Sequence, residues 1–429
     1  MDLFDFQETG RDFIAGNRFA FLADEPGLGK TCQTIRGLRV SLRQGPTKAR
    51  KINIAILCPR SAIENWRREL KRWWTAPETN PRFFVCNYDK LVLPGFEQEF
   101  FNSIEWDYIV CDEAHRLKHS GAIRTKVVYH RIAALKKSGV QVKLLSGTPA
   151  RNHAGEMWTH LAVLRPDIIR DRSGRAMTQE QFEDHFCDVY FDKGGHRRIR
   201  GSKNIGELRG LLDESGFLLR RRKSEVRKSL PPLVFDEYPL PHDGRLPPMG
   251  RVDHLEGLTI DEALTVLQEE QHHLMTERRL TGLLKVPPTV EFVQNELDAP
   301  GKIILFFWHT DVGRELYRLL AEFQPVLVDG KTSIPQDEVD TFQHDDGCRL
   351  FIGQIMACGE ALNITAANQV AFVEAAWSPA DNYQAACRAH RIGLEGGLLV
   401  RFLSLAHSTD ELVQRVLTRK TSDLTELFD

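Results

Sequence analysis

The chain has 429 residues, a formal net charge of −2, 42% apolar residues and 27% charged residues. That length is about three times a typical single domain, and the composition excludes collagen-like, low-complexity and disordered classes. The near-neutral balance also excludes an overall polybasic surface, so any nucleic-acid path must be built from local basic patches.

The amino terminus, MDLFDFQETG, carries acids and lacks the basic region of a signal peptide. The longest apolar stretches, such as IILFFW at 303–308, are far too short to cross a bilayer. The expectation is a soluble, cytoplasmic protein with no membrane partner, and the lean architecture points to a prokaryotic or phage-infected cell. Eight scattered cysteines with no C-x-x-C pair argue against zinc ribbons and redox motifs.

From residue 1 to 165 the chain repeats one rhythm of short apolar strand, turn and amphipathic helix. The strands are RFAFLA (18–23), INIAILC (52–58), FFVC (83–86), YIVC (108–111) and VKLLS (142–146). Their unbroken apolar character suits strands buried on both faces of a parallel sheet. After the second strand, Ser61 and Glu64 have capping-box spacing, and Trp66, Leu70 and Trp73 come next at near-helical period. Residues 166–300 are charged and predicted mostly helical, interrupted by Pro pairs at 231–232, 247–248 and 287–288, with an exposed loop at GGHRRIRGSK (194–203). They read as a helical insertion and connector. From 301 to 429 the rhythm returns, with IILFFW (303–308), PVLV (325–328), RLFI (349–352), VAFV (370–373) and LLVRFL (398–403), and a last helix opening at Ser408 with Glu411. The expected fold class is α/β: two RecA-like P-loop lobes with parallel sheets, and a mostly helical insertion between them.

The first strand runs straight into DEPGLGKT (24–31) and then a helix. Glycines there let backbone N–H groups wrap phosphate oxygens, and the helix terminus adds positive potential. Asp24, Gly27, Leu28, Gly29, Lys30 and Thr31 form this candidate ATP-binding loop, with Lys30 on the β- and γ-phosphates and Thr31 on Mg²⁺. The general pattern has glycine where Asp24 stands, so the loop is a variant. Asp112 and Glu113 end the YIVC strand in DEAH (112–115), where α/β sheets bind ligands. Asp112 is placed on Mg²⁺, and Glu113 as the group that orients the attacking water and takes its proton. The competing reading is a tight strand–helix turn with a solvated lysine, beside a helix cap with a solvated histidine.

In order, the chain shows Gln7 in its leader, DEPGLGKT, CPRSAIENWRREL (58–70), CDEAHRLKH (111–119), LLSGTPARN (144–152), ILFFWHT (304–310) and SPADNYQAACRAHRIG (378–393). This succession resembles the helicase motifs of Swi/Snf-type superfamily 2 ATPases over nearly the whole chain. NIGELRGLLDESGFLLRRRKSEVRKSLP (204–231), TGLLKVPPTVEFV (281–293), LVDGKTS (327–333) and FVEAAWSP (372–379) are similar to its annealing-helicase (HARP-like) subfamily. The resemblance implies that Gln7 reads the adenine and that Ser146 and Thr148 couple the nucleotide site to the DNA path. It also implies that Gln384, Arg388 and Arg391 face the nucleotide across a cleft that ATP closes. Those three fall at i, i+4 and i+7, one face of a predicted helix. Ala361, Leu394 and Pro26 depart from the family pattern, where glycine, glutamine and methionine are usual.

The function expected is an ATP-dependent translocase, a monomeric motor on double-stranded DNA, forked DNA included. The alternatives are a strand-separating DNA or RNA helicase and a nucleotide-gated DNA-binding subunit of a larger assembly. Movement requires phosphate contacts, which carry no sequence information. The first candidates are Arg60, Arg67 and Arg68. The Arg220–Lys223 run and the group Arg197, Arg198, Arg200 and Lys203 are further ones, the former run also a candidate bridge between the units. A solvated charged surface is the ordinary meaning of such runs.

Overall fold

The computed structural model describes residues 3–44, 51–75, 81–150, 153–192, 194–226, 233–241, 271–358, 362, 364–376, 378–390, 394, 396–405 and 410. The chain divides into two compact units, Met1–Lys228 and Ser229–Asp429.

The first unit contains β1 (Phe19–Leu22), β2 (Asn53–Cys58), β3 (Arg82–Asn87), β4 (Tyr108–Asp112), β5 (Gln141–Leu145), β6 (Cys187–Phe191), β7 (Arg197–Ser202) and β8 (Leu218–Leu219). Six of them form one sheet in the order β3-β2-β4-β5-β1-β8, and every pairing is parallel. All six residues of β2 are buried, as are the four residues before Asp112 in β4. Aliphatic side chains on both faces of these strands leave no room for water, so helices must cover both. Because the strands are parallel and β4, β5 and β1 are adjacent, the loops at their carboxyl ends gather at one edge of the sheet.

The second unit contains β9 (Leu233–Leu240), β10 (Ile303–Phe307), β11 (Val326–Val328), β12 (Leu350–Gln354), β13 (Gln369–Phe372) and β14 (Leu398–Leu405). They form a parallel sheet in the order β11-β12-β10-β13-β14-β9. The two-residue strand period sorts β10 between two cores: Ile304 and Phe306 enter one, while Ile303, Leu305 and Phe307 enter the other.

Several expectations change. Residues 166–300 are not a separate helical connector. Leu218–Leu219 adds an edge strand to the first sheet, and Leu233–Leu240 pairs along its full length with β14 in the second. The stretch at 194–203 is not a loop: Arg197–Ser202 pairs antiparallel with Cys187–Phe191. The helix Gln271–Glu296 runs through Pro287 and Pro288. Burial of Val286, Phe292 and Val293 against the second unit's core outweighs the donors that proline removes. The other two Pro pairs and the Ser408–Glu411 cap lie outside the described residues. Ser61 caps nothing, because a 3₁₀ turn over Arg60–Ala62 leads into the helix Ile63–Trp73 and makes Ala62 its N-cap.

Candidate nucleotide site

The loop after β1 bends through Gly27 (φ 92°) and Gly29 (φ 77°), left-handed positions that other residues adopt at a cost, and enters the helix Lys30–Gln44. Lys30 Nζ donates to the carbonyls of Asp24 at 2.7 Å and Glu25 at 3.2 Å. Both carbonyls are neutral acceptors, which phosphate oxygens outcompete for an ammonium group. Thr31 is the second residue of this helix and is half-buried. Leu28 is buried, and its carbonyl accepts from Gln33 Nε2 at 2.9 Å and Gln7 Nε2 at 3.3 Å. Gln7 also accepts from the Phe4 N–H at 3.2 Å, so it is buried against the loop at the start of its own helix, Asp5–Gly16.

Asp24 has a different part from the rest of the loop. Its side chain is wholly buried and accepts from Arg221 Nε at 3.0 Å, Arg221 Nη2 at 2.5 Å, the Arg221 N–H at 3.1 Å and Gln33 Nε2 at 3.1 Å. Its carboxylate is thus committed to the protein rather than offered to a nucleotide. Arg221 also donates to Gln33 Oε1 at 2.8 Å and to the Phe6 carbonyl. Beside it, Arg220 donates to the carbonyls of Ala23 and Gly147, and the Lys223 N–H donates to Glu25 Oε2. The basic run after β8 therefore stitches the loop in place.

At the end of β4, Asp112 accepts from Trp66 Nε1 at 2.8 Å and from the Glu113 N–H at 3.0 Å, while Tyr88 Oη donates to its carbonyl at 2.7 Å. Burial, reinforced by the neighbouring Glu113 carboxylate, raises the Asp112 pKa well above the usual carboxylate range; Trp66 and Lys30 oppose the rise. Glu113 adopts a left-handed backbone (φ 48°), which turns its side chain off the strand line. Glu113 Oε2 lies 3.2 Å from His115 Nδ1, which lies 3.1 Å from Ser146 Oγ at the end of β5. Ser146 Oγ also accepts from the Thr148 N–H at 3.1 Å, and both residues are buried. A Cβ added to the intervening Gly147 would lie 2.7 Å from Pro26 Cγ, so the loops after β1 and β5 touch where only glycine fits.

The first unit thus brings Gln7, Asp24, Gly27, Leu28, Gly29, Lys30, Thr31, Asp112, Glu113, Ser146 and Thr148 to one sheet edge. Gln384 and Arg388 belong to the second unit, where both are buried. The helix there, Pro379–Ala386, ends before Arg388. Beyond it the Arg388 N–H donates to the Ala385 carbonyl and the Ala389 N–H to that of Ala386, tighter turns than an α-helix makes, while the His390 N–H still donates to the Ala386 carbonyl. Arg391 and Ala361 lie outside the described residues; Leu394 is buried.

Among the phosphate-contact candidates, Arg60 is exposed just beyond β2. Arg67 and Arg68 are 59% and 42% exposed, with Glu64 at 3.5 and 3.9 Å. Arg197 is instead paired with Glu183 and Asp184, and Arg198 with Asp192. The partners of Asp24 and Asp112 escaped the sequence reading. Arg221 is 197 residues from Asp24, and the charge run it sits in carried no sign of a partner. Trp66 was legible only as part of a helical stripe.

The SNF2-related domain family matches residues 15–236, and the helicase conserved C-terminal domain matches residues 288–393. A SWI/SNF-related matrix-associated actin-dependent regulator of chromatin subfamily A-like protein 1 homolog from Caenorhabditis elegans is 26% identical over 97% of this chain and 61% of its own length. The DNA annealing helicase and endonuclease ZRANB3 of Mus musculus is 27% identical over 97% of this chain and 40% of its own length. The chain therefore spans between two fifths and three fifths of these curated relatives. The Sulfolobus solfataricus SWI2/SNF2 ATPase core in complex with dsDNA aligns with a TM-score of 0.42 at 20% identity, covering 100% of this chain and 95% of that one. With the first of these families covering more than half of its residues, the chain belongs to the SNF2-related family.

Proposed function

We propose that the chain is an ATP-dependent translocase on double-stranded DNA that remodels or rewinds it, forked DNA included. The observation that carries this reading is the placement of the Lys30 loop and the Asp112–Glu113 pair at the carboxyl ends of β1 and β4, either side of β5, whose following loop bonds Ser146 to His115 and sets Gly147 against Pro26. Lys30 binds the β- and γ-phosphates in place of the carbonyls it now holds, and Gln7 reads the adenine beside the loop. Glu113 orients the attacking water and takes its proton. Gln384, Arg388 and Arg391 act on the same triphosphate, offsetting charge on the γ-phosphoryl oxygens. Ser146 and Thr148 couple these events to DNA bound through Arg60, Arg67 and Arg68.

Mg²⁺ fits the donors present. One carboxylate, Asp112, and one hydroxyl, Thr31, suit a cation that keeps waters and substrate phosphates as its other ligands. Among the described residues no group of three or more His, Cys, Asp or Glu could hold a metal. Bound there, Mg²⁺ supplies positive charge to the phosphate oxygens and favours ionised Asp112. The names of the relatives, one a DNA annealing helicase, support the choice of DNA and of rewinding.

Glu113→Gln is expected to abolish turnover while retaining ATP binding, read by phosphate release and nucleotide titration. Normal hydrolysis in that variant would end the assignment. Wild-type turnover on single-stranded, duplex and forked DNA and on RNA separates the translocase from its alternatives. Stimulation by RNA alone would support an RNA helicase, and DNA binding without any hydrolysis a nucleotide-gated binding subunit.

A further inference from the structure

The hairpin β6–β7 departs from the interior logic of the first unit. Its base is anchored: Cys187 is buried, the Gly155 N–H donates to Cys187 Sγ at 3.1 Å, and the Ala154 N–H donates to Ser202 Oγ at 2.8 Å. Val189 and Ile199, paired across the strands, pack on the unit's core. Towards the turn the character reverses. Phe191 is 68% exposed and Tyr190 38% exposed. The pairing shifts between Asp188 and Val189, so that Gly201 faces Asp188 and Ile199 faces Val189, leaving Arg200 as the extra residue of a bulge. Bulges re-aim side chains, and here the Arg200 guanidinium lies over the Tyr190 ring, 5.0 Å from its centroid. Among the described residues neither Arg200 nor Lys203 is paired with an acid, whereas Arg197 and Arg198 are.

We propose that this hairpin binds unpaired bases of DNA, with exposed Phe191 as the stacking ring, the Arg200-capped Tyr190 on the opposite face of the ribbon as a second one, and Arg200 and Lys203 as phosphate contacts; the choice of DNA rests on the function proposed above. Exposed rings flanked by cations that no acid neutralises are what sequence-tolerant binding of single strands requires, because every base has a π-face and every nucleotide a phosphate. An apolar protein partner would not call for the two cations, and an intact duplex hides the base faces that the rings would cover. The root of the hairpin adds a reason for placing the contact here. Ala154 and Gly155, which hold it, come shortly after Ser146 and Thr148, the residues bonded to the acid-pair loop through His115.

The test uses the full chain and fluorescence-labelled DNA: a blunt duplex, and a fork carrying 2-aminopurine at its first unpaired position. Wild type is expected to bind the fork more tightly than the blunt duplex and to change the 2-aminopurine emission. Phe191→Ala is expected to lose about 5- to 140-fold in fork affinity together with the emission change, the size of one lost base–aromatic stack. Its blunt-duplex affinity stays unchanged, and Phe191→Trp restores fork binding. Phe191 is exposed, so the unit's fold survives its removal, and circular dichroism verifies this; Tyr190→Ala supplies an independent variant. Unchanged fork affinity and emission in both alanine variants would overturn the inference and leave the duplex-motor reading standing. Failure of wild type to bind any of these DNAs would overturn both.

Discussion

Removing Arg221 tests how the phosphate loop is held. Asp24 is fully buried and the Arg221 side chain is 12% exposed, so Arg221→Ala strands a carboxylate with Gln33 as its remaining side-chain donor. Breaking a buried pair from one side costs about 3–5 kcal/mol, because the surviving charge keeps its desolvation penalty. Asp24→Ala is expected to cost a similar amount, leaving a buried guanidinium. The double variant should cost about 1–3 kcal/mol less than the sum of the singles, the range of coupling between residues in one network. Urea denaturation read by tryptophan emission suits the measurement, since Trp66, Trp73, Trp74, Trp106 and Trp158 lie in the first unit and only Trp308 and Trp377 in the second. ATP affinity should fall in both singles, because Asp24 also presents the carbonyl that holds Lys30. Additive costs, or single losses below about 1 kcal/mol, would refute the claim that this pair secures the loop.

His160 is buried neutral beside Tyr129, and burial lowers its pKa to about 3. The unfolded chain, with an ordinary value near 6.5, therefore binds the extra proton between those limits, and stability present above about pH 6.5 is lost as pH falls. Between pH 6 and 5 the wild type should lose up to about 1.4 kcal/mol more than His160→Gln in urea unfolding; parallel curves would contradict this. Gly147→Ala forces its new methyl against the Pro26 ring and should weaken ATP binding, with Pro26→Ala restoring it. Absence of rescue in nucleotide titrations would mean that this contact does not shape the loop. Replacing Arg67 and Arg68 together should weaken duplex binding and reduce the slope of log affinity against log salt by about 2, and an unaltered slope would exclude them as phosphate contacts.

The buried strands were legible because parallel strands covered on both faces need unbroken apolar runs, and INIAILC and IILFFW are such runs. The edge strands were not. Leu218–Leu219 is two residues long, and Leu233–Leu240 (LVFDEYPL) breaks its apolar run with two acids and a proline, only Leu240 being fully buried. Both find their partners far away in sequence. The nucleotide loop and acid pair were legible because their chemistry fixes residue types at short spacing. The groups that secure them were not, since Arg221 and Trp66 reach Asp24 and Asp112 only after the sheet has assembled. The arginine helix is shorter than its sequence spacing suggests: that spacing continues beyond Ala386, where the helix Pro379–Ala386 has ended.

The hydrolysis proposed at the carboxyl ends of β1 and β4 is expected to depend on duplex DNA. Steady-state phosphate release by the full chain, with and without a blunt DNA duplex, measures this. The rate should be raised by duplex and abolished by Lys30→Ala; a rate indifferent to duplex, or one that survives loss of Lys30, would contradict the claim.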